Sequence, residues 1–150
     1  MGLFGGFKKK GSVQSADEAE ARRLLDLQLN KQIDDATFLK EFANLEILYT
    51  TPAGDTKDGK QKFFLIPGPE PTAYMPLFLN ETEIKEFYDK AGRGPFLILK
   101  GTLKGLVEVG IKQNKEDKMN FKYGYMIDPF KYKVTLDAPV LETILSMINS

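Results

Sequence analysis

The chain has 150 residues, and 21 Lys and Arg balance 21 Asp and Glu, so its formal net charge is zero. Histidine, cysteine and tryptophan are all absent, which excludes Ser-His-Asp triads, Cys-His nucleophiles, disulfides, thiolate chemistry and Cys/His zinc sites. A chain of this length makes one domain and buries about two-thirds of its unfolded surface, enough to stand without a metal or a disulfide.

Residues 1–14 read as a flexible basic tail of Gly, Lys and Ser without periodicity. The apolar Leu3, Phe4 and Phe7 precede Lys8, Lys9 and Lys10, the reverse of a secretory signal. Gly6 stands where a myristoylation pattern needs Ser or Thr. No apolar run approaches the ~18 residues of a membrane span. A cytoplasmic protein is therefore expected, its tail touching an anionic membrane weakly at most. Without a leader, the sequon Asn80-Glu81-Thr82 carries no meaning.

The remaining residues, 15–150, read as a single domain. Ser15 and Glu18 spell a capping box, and Ala21, Leu24, Leu25 and Leu29 follow at helical spacing. Asp35 to about Ala43 predicts a second helix with Phe38, Leu39 and Phe42 inward. Leu45–Thr50 is β-prone, and Phe63–Ile66 is a continuous apolar run, as in a strand covered on both faces. Between them, Asp58-Gly59 marks a turn. Pro67, Pro69 and Pro71 define a loop that is neither helix nor central strand. Tyr74–Leu79 predicts a strand, and Asn80 with Glu83 forms a second capping box that opens a helix with Ile84, Phe87 and Tyr88 on one face.

Gly92 and Gly94 end that helix, and Pro95–Lys100 returns as a buried strand. Thr102–Val109 is ambiguous, since Leu103, Leu106 and Val107 suit a helix while Gly105 weakens one. Residues 112–118 read as a lysine-rich loop. Tyr123–Ile127 and Lys131–Leu136 bracket the turn Asp128-Pro129-Phe130, and Asp137 caps a last helix with Val140, Leu141, Ile144, Leu145 and Ile148 as its stripe. The sum is an α+β domain with a mixed sheet of about five or six strands and helices packed on it.

The run YMPLFLNETEIKEFYDKAGRGPFLILKG, followed by YGYMIDPFKYKVTLDAPVLETI, resembles the SseB N-terminal domain family, whose name comes from a bacterial enhanced-serine-sensitivity protein. The resemblance spans about residues 35–148. Asn80 stands where the family often carries Thr or Ser at its helix start, and Asp128 stands in place of the Asn of its Asn-Pro turn. The resemblance implies the same α+β fold and assigns no molecular activity. The exchange of Asn for Asp keeps a turn-forming residue, but an ionised Asp accepts hydrogen bonds and donates none.

Gly54-Asp-Thr-Lys-Asp-Gly59-Lys60-Gln61 nearly spells a phosphate-binding loop. Gln61 replaces the Mg²⁺-binding hydroxyl, two aspartates would repel phosphate, and a strand rather than a helix follows, so a plain turn is expected. Asp34 and Asp35, and Glu116 and Asp117, are adjacent carboxylates whose side chains diverge. No calcium loop is present, and no cofactor or metal is expected. No lysine stands out as a Schiff-base former.

Aromatic and basic residues interleave around one turn, and Tyr123, Tyr125, Asp128, Phe130, Lys131 and Tyr132 form the candidate binding surface. Aromatic residues favour interfaces. The segment also echoes the aromatic strand of RNA-recognition domains, but a net charge of zero lacks the basic surface that nucleic-acid binding draws on. Packing beneath a helix is the plainer role for Tyr123 and Tyr125, with their hydroxyls reaching solvent. The expectation is a non-enzymatic binding or regulatory module that engages another protein through its sheet edge or this turn. A small-ligand domain is the alternative, and weak single-stranded nucleic-acid binding comes after it.

Overall fold

The computed structural model describes residues 17–52, 66–67, 72–91, 96–116 and 122–150. The first helix, α1, runs Glu18–Leu29 and buries Ala21, Leu24 and Leu25. Leu29, at its end, is 55% exposed and takes no part in the apolar face. Helix α2, Asp35–Phe42, buries Phe38, Leu39 and Phe42, as their spacing predicts. Asp34 caps it, its carboxylate accepting from the Thr37 amide at 2.7 Å.

Strand β1 (Glu46–Pro52) and the short β2 (Ile66–Pro67) lead to β3, Thr72–Leu77. Pro67 thus belongs to a strand, not to a loop, and it does so where β2 pairs with the start of β3. Helix α3 (Glu81–Ala91) opens behind Asn80, whose side-chain oxygen accepts from the Glu83 amide at 2.8 Å. Strand β4 is Phe96–Thr102, and helix α4 is Leu103–Glu116. The ambiguous segment is therefore helical, and the helix continues through residues 112–116, which read as loop. Leu103, Leu106, Val107 and Gly110 give α4 a buried stripe, so its lysines decorate the opposite face of the same cylinder. Strand β5 (Lys122–Ile127), strand β6 (Val134–Leu136), a 3₁₀ turn at Ala138–Val140 and helix α5 (Leu141–Asn149) complete the domain.

The fold is α+β, with six strands among the described residues. Four form a mixed sheet in the order β2-β3-β5-β6, with β3 and β5 parallel and the outer pairs antiparallel. Strands β1 and β4 form an antiparallel ribbon from Glu46↔Thr102 to Pro52↔Phe96. One bridge joins ribbon to sheet, where Leu48 and Phe78 exchange both backbone hydrogen bonds at 3.0 and 2.8 Å.

Alternation along the strands separates two cores. Ile47, Met75, Leu77, Leu79, Tyr123, Tyr125 and Ile127 meet buried side chains of α1, α2, α4 and α5. Leu48 and Phe78 face the other way, onto Ile84 and Tyr88 of α3, with Phe87, Ile98 and Phe130 packed beside them. Gly124 is required by the close approach of β6. A Cβ there would lie 2.0 Å from the Leu136 carbonyl oxygen, a contact only glycine avoids.

The basic tail, the Ser15 cap, the Asp58-Gly59 turn, Phe63–Leu65, the phosphate-loop-like segment and the glycines after α3 lie outside the described residues. Among the described residues no helix is long and apolar enough to cross a membrane.

Candidate functional site

Strands β3 and β5 run parallel with Leu77 opposite Ile127, so their carboxyl ends open at the same level. That is where parallel sheets hold their functional groups. Asn80 and α3 follow the first strand, and Asp128 follows the second. Asp128 has φ 55°, a left-handed conformation that Asp tolerates better than most residues. Its amide donates to the Leu77 carbonyl at 2.8 Å, which ties the turn to β3. Its carboxylate Oδ2 accepts from the amides of Lys131 and Tyr132 at 3.1 and 3.0 Å. The side chain is fully buried, and Oδ1 has no partner.

Helix α1 brings a charged face to this point, because Glu18, Arg22 and Asp26 recur every four residues. Arg22 bonds Glu18 at 3.0 Å and Glu83 at 3.1 Å. The Asn80 amide also donates to Glu18, at 3.0 Å. Asp26 accepts from the Tyr132 hydroxyl at 2.6 Å and lies 3.9 Å from the Lys131 ammonium. Burial and then the bond to Asp26 push the Tyr132 hydroxyl up to about 12.

Glu83 does not close the predicted capping box. Its Oε2 turns to Arg22, and its Oε1 is buried without a partner. Burial raises the Glu83 carboxyl above its ordinary value; Arg22 opposes that shift, and the charges of Asp128 and Glu18 reinforce it. One oxygen of Glu83 and one of Asp128 are thus buried without a hydrogen-bond partner among the described residues.

The six residues of the candidate surface do not assemble as one. Tyr123 and Tyr125 are buried in the main core, their rings edge-on at 5.8 Å. The Tyr125 hydroxyl does not reach solvent but donates to the Leu106 carbonyl of α4, and burial raises both phenols. Gly110 makes room for it, since a Cβ there would lie 3.0 Å from the Tyr125 oxygen. Phe130 is half-buried against Phe87 at 6.2 Å. Tyr132 is also half-buried, with the Lys131 ammonium 5.0 Å from its ring centre. Of the six, only Lys131 is exposed. Aromatic alternation marks strands, but it does not say which face a helix covers.

The surface that is exposed lies elsewhere. Among the described residues β4 pairs with β1 alone, and Leu97 and Leu99 are 51% and 37% exposed. The run predicted as a buried strand therefore has Leu97 and Leu99 exposed, while Ile98 packs against the second core. Leu48 directs both its backbone groups at Phe78. Bonded and non-bonded pairs alternate along an antiparallel ladder, so its register partner Lys100 turns its N–H and C=O away from β1, and so does Ile98. Exposed leucines and backbone groups that turn away from β1 occupy the same edge.

Two cavities also open among the described residues. One, about 310 Å³, is lined by Ile111, Asn114, Lys122, Pro139, Leu141 and Glu142 among others. Its Asn114 side chain is bonded to both backbone groups of Tyr123 at 3.0 and 3.1 Å, and Lys122 donates to the Asn114 carbonyl. The other, about 250 Å³, is lined mainly by apolar groups such as Phe38, Leu136 and Ile144. The first sits at the small end of ligand pockets, roughly 300–1,000 Å³, and the second falls below that range. No group of three or more acidic side chains suited to a metal ion occurs among the described residues. Comparison with protein-family models, with curated proteins and with solved structures finds no match.

Proposed function

We propose that this protein is a non-enzymatic binding module that takes up an extended segment of a partner protein along β4. The observation that carries this is the coincidence of exposed Leu97 and Leu99 with outward-facing backbone groups at Ile98 and Lys100. Strand addition uses that combination, with backbone bonds for affinity and alternate side chains for selectivity. An apolar edge left bare is otherwise an aggregation hazard, which proteins blunt with charge. Covering the exposed parts of the two leucines contributes about 2 kcal/mol, so the backbone bonds carry much of the affinity. The resemblance to the SseB N-terminal domain family and a cytoplasmic setting belong to the same proposal, and zero net charge favours a protein over a nucleic acid.

The test is capture from an extract of the source cell on the immobilised full chain, quantified for the wild type, for Leu97→Lys with Leu99→Lys, and for Lys100→Pro. Proline at an edge position removes an outward N–H and leaves the β1 ladder intact. A protein retained by the wild type and lost at least tenfold by both variants supports edge binding. Equal retention by all three overturns it, and concentration-dependent self-association abolished by Lys100→Pro would make the partner a second copy.

A further inference from the structure

We propose that β4 pairs with the β4 of a second copy of this chain, antiparallel, across a two-fold axis at Ile98. The inference rests on the reading of β4 as a strand-accepting edge and names the partner. Leu97-Ile98-Leu99 is the same read in either direction. An axis through Ile98 therefore sets Leu97 against Leu99 of the second copy and Leu99 against its Leu97, the reciprocal contact that a two-fold interface requires. Leu97 and Leu99 are the exposed side chains of the strand. Ile98, on the opposite face, meets its own copy and continues the second core, on which it already packs.

Backbone geometry and charge narrow the register to this one. Ile98 and Lys100 turn their N–H and C=O groups away from β1, so an antiparallel copy bonds only where such outward residues meet. With the axis at Ile98, the two Ile98 residues exchange both backbone bonds, and Lys100 faces Phe96 of the second copy. An axis at Leu97 sets Leu99 against Pro95, before the strand begins. An axis at Leu99 sets Leu97 against Gly101 and Ile98 against Lys100. An axis at Lys100 sets two lysines directly opposite each other, which is unfavourable. Only the axis at Ile98 places apolar residues against apolar residues at all three central positions.

The chain's zero net charge adds no long-range repulsion between copies. Two short strands cover less than the roughly 1,200–2,000 Å² of a stable interface. The pairing is therefore a weak one that forms with concentration and leaves the edge open in dilute solution.

The test is sedimentation of the full chain from about 1 μM to 1 mM, with disulfide trapping to read the register. The wild type should pass from monomer towards dimer over this range, while the Ile98 and Lys100 amides change from fast to slow exchange. Lys100→Pro removes an outward N–H at each end of the pairing and should weaken the dimer at least tenfold. The chain has no cysteine, so each introduced thiol can meet only another introduced one. Residues 97 and 99 would form a non-bonded pair with Cα atoms about 4.5 Å apart, within disulfide reach. A mixture of Leu97→Cys and Leu99→Cys chains, one isotopically labelled, should cross-link with each other at least tenfold faster than either does with itself. An excess of like-with-like disulfides moves the axis to Leu97 or Leu99 and overturns the proposal. A chain that stays monomeric at the highest concentration also overturns it. If β4 of that monomer still takes up a foreign strand, read as slowed exchange at Ile98 and Lys100, strand addition stands and only self-pairing falls.

Discussion

At the carboxyl ends of β3 and β5 this protein buries carboxylates, and along β4 it leaves leucines in water. Both run against the usual partition of side chains, and such inversions carry more information than the ordinary core. The two differ in what would satisfy them. The carboxylate cluster is largely satisfied within the chain: Arg22, Asn80 and two turn amides meet its oxygens. Among the described residues, the β4 edge has Leu97 and Leu99 exposed and no second strand paired to the outward backbone groups of Ile98 and Lys100, a need that an added strand would meet. The first region therefore reads as an internal fastening, and the second as the place where another molecule fits.

The comparison breaks most visibly where the two regions share a scaffold. Gly124→Ala forces a Cβ against the Leu136 carbonyl, and it should cost about 3 kcal/mol of stability or prevent folding. Urea denaturation checks it, and a change below about 1 kcal/mol would mean that β6 is not held as described. Next in size is Asp128→Ala, which strips two backbone amides of their acceptor and puts Ala at φ 55°. It should cost about 2–3 kcal/mol without weakening partner capture by β4, so equal losses of stability and capture would merge the two regions into one. Smallest is the pair Leu97→Lys and Leu99→Lys, which should change stability by only about 0.5 kcal/mol in either direction while abolishing capture. A large loss of stability there would make these leucines structural.

Much of the fold was legible because it is amphipathic. The apolar spacing in α1, α2, α3 and α5 identified helices and most of their buried faces, and Asn80 was correctly placed as the cap of α3. Phe96-Leu97-Ile98-Leu99 misled because a continuous apolar run reads as buried, and only sheet order reveals that, among the described residues, β4 pairs on one side alone. The lysines of residues 112–116 suggested a loop although Leu103, Leu106, Val107 and Gly110 already set a helical phase. The carboxylate cluster left one local trace, the four-residue spacing of Glu18, Arg22 and Asp26. Glu83 and Asp128 join it from far along the chain, so no local pattern could have shown it. Asp128 was correctly singled out as a turn residue, but its burial is a tertiary property.

Site-resolved amide exchange along β4 tests the central claim most directly. In the free protein the amides of Leu97 and Leu99, which face β1, should be protected, while those of Ile98 and Lys100 exchange at nearly open rates. In the complex captured from the source-cell extract all four should become slow. Fast exchange at Ile98 and Lys100 in the captured complex would contradict strand addition on β4.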